Sequence, residues 1–210
     1  MTTDGRIDTV VLATHNAKKL AELRRLVAEA HAALSVLGLD DVAPYPEPAE
    51  TEPTFEGNAL LKARACVAAT GLPALADDSG LAVDALNGMP GVRSARWAGP
   101  GASDAENLTL LLRQTADLPD DRRAARFVCA MALALPGGGE HVLVRDMPGR
   151  LVREPRGANG FGYDPAFVAD GQTVTNAELS PAAKDAISHR GKAVRAMVDH
   201  LRRLNEGTTA

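Results

Sequence analysis

Two adjacent carboxylates, Asp77 and Asp78, stand with Ser79 and Gly80 between the apolar runs Ala74–Ala76 and Leu81–Leu86. Ionised carboxylates beside apolar chain are costly to hold without a cation or a hydrogen-bonding partner. A Mg²⁺ ion bound by one or two carboxylates together with substrate phosphates would use them, and a polar turn between two strands is the plain alternative. Ser79 with His189 also suggests a Ser-His-Asp hydrolase, but the strained G-x-S-x-G elbow is absent.

Four further segments carry candidate chemistry. Thr14-His15-Asn16-Ala17-Lys18-Lys19 follows an apolar run and opens a helical pattern, the setting in which free backbone N–H groups and the helix dipole receive phosphate. A capped surface helix with solvated lysines is its other reading. The proline-bound stretch with Glu47, Glu50 and Glu52 would supply a second metal carboxylate, or is a solvated loop. Gly160-Phe161-Gly162-Tyr163-Asp164-Pro165-Ala166-Phe167 sets aromatic rings among glycines, which suits stacking on a base as well as a small hydrophobic cluster. Lys184 to Arg190 gathers Lys184, His189 and Arg190, donors for an anion or for the acceptor edge of a purine, or a solvated helix face.

Composition narrows the partners. The chain has 210 residues with a formal charge of -4, 45% hydrophobic and 24% charged residues, which suits one soluble globular domain and argues against a basic nucleic-acid footprint. No window reaches the roughly 18 apolar residues of a membrane span, and the N-terminus Met1–Arg6 reads as free of a signal peptide. Cys66 and Cys129 sit in apolar runs with no Cys-x-x-Cys or Cys/His set, so buried free thiols in a reducing, cytoplasmic setting are expected. G-x-x-x-x-G-K-[ST], forward G-x-G-x-x-G and H-E-x-x-H motifs are absent. The lysines are Lys18, Lys19, Lys62, Lys184 and Lys192, five of 23 basic residues, and all fall in or beside Thr14–Lys19, Thr54–Thr70 or Lys184–Arg190. Lys is a compact charge suited to phosphate oxygens, so this placement hints at a shared polyphosphate site.

The elements that must position these residues follow from periodicity and punctuation. Ile7–Ala13 and Leu34–Leu39 read as strands, with a helix between them capped by Asn16 and patterned by Leu20, Leu23, Val27 and Ala30. Asp40–Pro53 reads as a loop, and Thr54–Thr70 as a helix stopped by Gly71 and Pro73. Ala74–Ala76 and Leu81–Leu86 read as two strands around Asp77–Gly80. Ser103 and Glu106 form a capping box for a helix through Gln114. Ala124–Leu135 and His141–Asp146 read as a hairpin, and Leu151–Glu154 as a further strand. Ser180-Pro181 opens a helix to about Leu204, broken near Gly191. The alternation predicts a mixed α/β sheet with flanking helices.

Taken together, VLATHNAKKL (11–20), ETEPTFEGNALLKARA (50–65), ADDSGLAVDALNGMPGVRSARWAG (76–99), FGYDPAF (161–167) and AELSPAAKDAISHRGKA (177–193) closely resemble the inosine triphosphate pyrophosphatase family, the dITP/XTP pyrophosphatases that cleanse the nucleotide pool. The resemblance spans nearly the whole chain. It implies an elongated mixed sheet with flanking helices in two lobes around a central substrate cleft, one pyrophosphatase domain over residues 1–210, a homodimer, and Mg²⁺-dependent hydrolysis of ITP, dITP and XTP to monophosphate and pyrophosphate. It makes Asp78 the general base and a metal ligand, Glu50 a metal ligand with Glu47 as alternative, and Thr14, His15, Asn16, Ala17, Lys18 and Lys19 the phosphate loop. Asn58 and Lys62 are its polar pair on the following helix. Ser79, Phe161, Gly162, Tyr163, Asp164, Lys184, His189 and Arg190 fall at its substrate-binding positions. His15 and Lys18 stand where small residues are common, Glu52 where glycine is usual after E-T, and Trp97 where Tyr is usual. A Maf-like pyrimidine or modified-nucleotide pyrophosphatase and a non-catalytic nucleotide-binding module are the competing readings.

Overall fold

In the computed structural model residues 6–30 and 33–207 are described, Lys18 by its backbone alone. Met1–Gly5, on which the N-terminal reading partly rests, and the Lys18 side chain lie outside the described residues. The elements in chain order are β1 (Thr9–Leu12), α1 (Ala17–Glu29), β2 (Ser35–Leu37), α2 (Phe55–Thr70), β3 (Ala74–Val83), α3 (Asp104–Gln114), β4 (Ala124–Ala134), β5 (Glu140–Leu151), β6 (Phe167–Ala169), α4 (Pro181–Ile187) and α5 (His189–Gly207). The strands form one six-stranded sheet in the order β2-β1-β3-β4-β5-β6. β1 runs parallel to β2 and β3, and β5 antiparallel to β6, so the sheet is mixed as the alternation predicts.

By internal contacts the chain divides into two compact units. One comprises residues 1–78, 130–144 and 193–210, the other 79–129 and 145–192, with one boundary inside β3 between Asp78 and Ser79. In the first unit, α2 lies on a sheet face built from Val11, Ala13, Ala74, Ala76, Ala130, Ala132 and Ala134, against its own Ala59, Ala63 and Cys66. Small side chains on both surfaces let helix and sheet approach closely. Thr54 caps α2, its Oγ1 accepting from Gly57 N at 3.1 Å, and Gly71 ends it at φ +68°, where a Cβ would strain the backbone. Asn16 opens α1, its Oδ1 accepting from Lys19 N at 3.3 Å. The second unit packs Leu81, Val83, Leu111, Met147, Leu151, Tyr163 and Phe167 around Phe127, whose ring meets Phe167 edge to face at 4.8 Å. The Ser103–Glu106 capping box of α3 is present.

Four expectations are corrected. The two strands expected around Asp77–Gly80 are one uninterrupted strand, β3. Gly80 is there because a neighbour comes close, not because the chain turns. A Cβ at Gly80 would lie 2.6 Å from Gly91 O and would also collide with the Ser94 hydroxyl. Gly80→Ala is therefore expected to cost about 1–3 kcal/mol, read as a lowered thermal midpoint; an unchanged midpoint would refute the close-packing account. Leu151 ends β5 rather than starting another strand, and β6 was not foreseen. The last helix breaks at Ser188, not near Gly191. Ser188 is extended, with ψ 146°, and its Oγ accepts from Gly191 N at 2.9 Å, so the serine caps α5 and the glycine lies inside it. Leu39, expected to end the second strand, forms a short 3-10 turn with Asp40 and Asp41 of the expected loop.

Cys66 and Cys129 are buried free thiols, and burial pushes the Cys66 thiol above its ordinary range. Among the described residues no helix is long and apolar enough to cross a membrane.

Candidate active site

The acidic group lies in the first unit and is set by strand parity. Successive side chains of a strand point to opposite faces. Asp78 shares parity with Ala74 and Ala76 and so faces α2. There its Oδ2 accepts from Asn58 Nδ2 at 3.0 Å. Asp77 faces the other way and is held by Lys19 of α1, whose Nζ lies 2.9 and 2.8 Å from its two oxygens. The two carboxylates are thus not a chelating pair: Asp77 is the counter-ion of Lys19. Both are buried, at 3% and 8% exposure, which makes such partners obligatory.

Asn58 does more than hold Asp78. Fully buried, it accepts through Oδ1 from the backbone N–H of Glu52 at 3.0 Å, which ties the acidic loop to β3 through one amide. One helical turn on, Lys62 Nζ donates to Glu50 Oε1 at 2.8 Å. Residues four apart lie on one helix face, so α2 holds Asp78 and the glutamate loop with a single face. Glu47 lies 2.5 Å from Nε2 of His15 in the Thr14–Lys19 loop, both side chains being well exposed. Asn16 N also donates to Thr14 Oγ1 at 3.2 Å, so the loop is shaped by its own side chains. A cavity of about 160 Å³ opens beside it, lined by Thr14, His15, Ala17, Leu20, Arg24 and the Gly38–Asp41 turn.

The second unit carries the remaining predicted residues. Arg190 Nη2 donates to Ser79 Oγ at 3.1 Å. His189, 9% exposed, stacks on Phe127 with centroids 5.0 Å apart and planes 10° from parallel. Asp164 is buried and accepts from Phe161 N at 2.9 Å, from Asn176 Nδ2 at 3.2 Å, and from Lys184 Nζ. Tyr163 is buried in the core and its hydroxyl donates to Ser94 O at 2.8 Å; burial, with the Asp104 charge, pushes its phenol well above the usual range. Phe161, by contrast, is 57% exposed, with Lys184 Nζ 5.0 Å from its ring centre. Of the lysines, Lys19 and Lys62 belong to the acidic group, Lys184 to the aromatic loop, and Lys192 is used on Asp146 O at 3.1 Å. Sequence reasoning missed Asn176 and Phe127, and no motif marked either: one is an unremarkable loop amide and the other a strand aromatic.

Among the described residues no three His, Cys, Asp or Glu side chains converge into a metal cage. Mg²⁺ does not need one. It is usually held by one or two carboxylates with waters and substrate phosphates, and Asp78 with Glu50 are oxygen donors of that kind.

A mixed α/β sheet presenting a buried, amide-held aspartate, a lysine-held glutamate and the helix-opening Thr14–Lys19 loop suits a hydrolase that handles nucleotides. The Ham1 family model matches residues 10–200, and the chain belongs to the Ham1 family. It is 60% identical over 200 residues, 95% of this chain and 97% of the relative, to a dITP/XTP pyrophosphatase of Nocardia farcinica. It is 61% identical over 191 residues, 90% of this chain and 94% of the relative, to one of Cutibacterium acnes. The solved HAM1 protein of Coxiella burnetii shares the fold with a TM-score of 0.86 at 41% identity, covering 93% of this chain and 98% of its own.

Proposed function

We propose that residues 1–210 form one nucleoside-triphosphate pyrophosphatase domain that hydrolyses non-standard purine triphosphates, ITP, dITP and XTP, to the monophosphate and pyrophosphate. The observation that carries this reading is the double grip of α2: Asn58 on Asp78 and Lys62 on Glu50. The names of the relatives supply the substrate class.

Asp78 accepts a proton from the attacking water, whose oxygen bonds to the α-phosphorus as the bond to the bridging oxygen breaks and pyrophosphate leaves. Asn58 fixes the Asp78 carboxylate for that transfer. Asp78 and Glu50 would hold Mg²⁺; Glu50 is preferred to Glu47 because the face of α2 that holds Asp78 also holds it, whereas Glu47 is committed to His15. When bound, the ion neutralises phosphate charge and polarises the reacting phosphoryl group. The Thr14–Lys19 loop presents the first N–H groups of α1 to the triphosphate, with Lys19 and Lys62 as fixed cations, and the Lys18 charge adds to them.

Phe161 stacks on the base; Tyr163 supports it from the core. Ser79 and Gly162 line the base and sugar side, with Lys184 and Asp164 holding the aromatic loop. His189 and Arg190 donate to the 6-oxo group. ATP carries an amino donor there and would leave those donors unpaired, a mismatch able to reject an analogue by about 10⁴–10⁵. A homodimer, which the resemblance implies, and a cytoplasmic setting, which buried thiols suit, complete the reading.

A panel of ITP, dITP, XTP, ATP, dTTP and UTP with Mg²⁺ tests it. Pyrophosphate and IMP from ITP are expected. Orthophosphate as the first product overturns α-attack, preference for dTTP or UTP favours the Maf-like reading, and tight ITP binding without turnover favours a binding module.

A further inference from the structure

We infer that Asp104 is a positioning residue for base recognition: its carboxylate pins the backbone of Gly162 and so fixes how Phe161 is presented. The inference rests on the proposed function, in which Phe161 meets the purine.

Phe161 lies between two glycines with positive φ, Gly160 at +77° and Gly162 at +59°. Such flanks leave an unanchored segment many conformations, each of which would aim the ring differently. The ring is also held out to solvent, against the usual gain from burial, so its placement must come from anchors. Two anchors belong to the segment itself: Asp164 accepts from Phe161 N at 2.9 Å, and the Tyr163 hydroxyl donates to Ser94 O at 2.8 Å. The third comes from far along the chain. Asp104 Oδ2 accepts from Gly162 N at 2.8 Å. Asp104 is the first residue of α3, and the helix start is capped separately by Ser103, whose N donates to Glu106 Oε2 at 2.8 Å. An exposed carboxylate that reaches a glycine N–H on the far side of the only solvent-facing ring in this loop is better placed to aim that ring than to cap its own helix, which Ser103 already does.

Asp104→Ala is expected to raise KM for ITP about tenfold with kcat little changed, the size of one lost charge-assisted hydrogen bond at the binding step. Asp104→Asn, which keeps an acceptor oxygen, is expected to restore most of the affinity. Ser103→Ala weakens the start of α3 without touching Gly162, so it should lower the thermal midpoint and leave KM alone. An unchanged KM in Asp104→Ala, or an equal KM rise in Ser103→Ala, overturns the inference. Titration calorimetry of ITP binding runs alongside. If the unmodified protein binds ITP without turnover, the enzymatic reading fails, and the Kd of the same variants decides the role of Asp104. If it does not bind ITP at all, both fail.

Discussion

Asp78→Asn is expected to reduce pyrophosphate release from ITP by about 10²–10⁴-fold, the usual contribution of a positioned general base, while leaving the fold intact. The substitution is close to isosteric. The new amide oxygen still accepts from Asn58 Nδ2, so the hydrogen bond seen at 3.0 Å is kept. What is lost is the group proposed to take the proton from water, together with one of the two carboxylates proposed to hold the cation. Asp77→Asn is the matching control. It removes an equal charge one residue away but on the opposite face, where the carboxylate serves Lys19. Its effect is expected in KM, through a less well-placed lysine, rather than in proton transfer. Steady-state rates for the two variants, with far-ultraviolet circular dichroism to check folding, separate the roles. Equal kcat losses in both would show that the two carboxylates act as one unit and would remove the parity argument.

Arg123→Met is expected to lower stability by about 3–5 kcal/mol, a large fraction of what holds a domain together. Arg123 is 2% exposed. Its guanidinium is satisfied by backbone carbonyls alone among the hydrogen bonds described: Nη1 donates to Thr115 O at 2.6 Å, Nε to Leu151 O at 3.0 Å and Nη2 to Val152 O at 2.9 Å. One side chain thereby closes the end of α3 and the end of β5. Methionine fills similar volume and removes the buried charge, but those carbonyls cannot be mutated away and would lose their donors. Burial and the nearby Arg153 charge push the Arg123 pKa down, so part of the loss is recovered by no longer burying a cation. For a chain of this length the deficit corresponds to a drop of roughly 10 °C in the thermal midpoint, measurable by scanning calorimetry. A midpoint at or above the unmodified value would mean that the burial of the charge outweighs its carbonyl bonds.

How far the sequence could be read depended on whether a residue's partner was local. Gly71, Ser180 and the Ser103–Glu106 box announce helix ends through neighbours within a turn, and the structure has them where punctuation predicts. Asp78, Asn58, Lys62 and Glu50 are picked out by motif resemblance; in the structure Asn58 donates to Asp78 and Lys62 to Glu50. The errors share one cause. The expected gap between strands at Asp77–Gly80 is absent, and the residue that crowds Gly80, Ser94, lies in a separate segment that spacing does not reach. The break in the last helix, expected near Gly191, falls three residues earlier, where capping by Ser188 decides it. Tyr163 and Phe161 are alike in type and two apart in sequence, yet one is a core residue and the other faces solvent. That division is set by Ser94 and Asp104, which no spacing rule connects to them.

The alternation along β3 also acts as an address. The dipeptide Asp77-Asp78 delivers one negative charge to each surface of the sheet, and which charge goes where depends only on the count of residues from the paired position Leu75, which sits opposite Leu12. A single-residue insertion or deletion between Leu75 and Asp77 would alter no functional group. It would nevertheless turn the carboxylate proposed as proton acceptor toward Lys19 and the lysine's counter-ion toward Asn58. Tolerance of this segment to length change should therefore be far lower than its tolerance to conservative substitution.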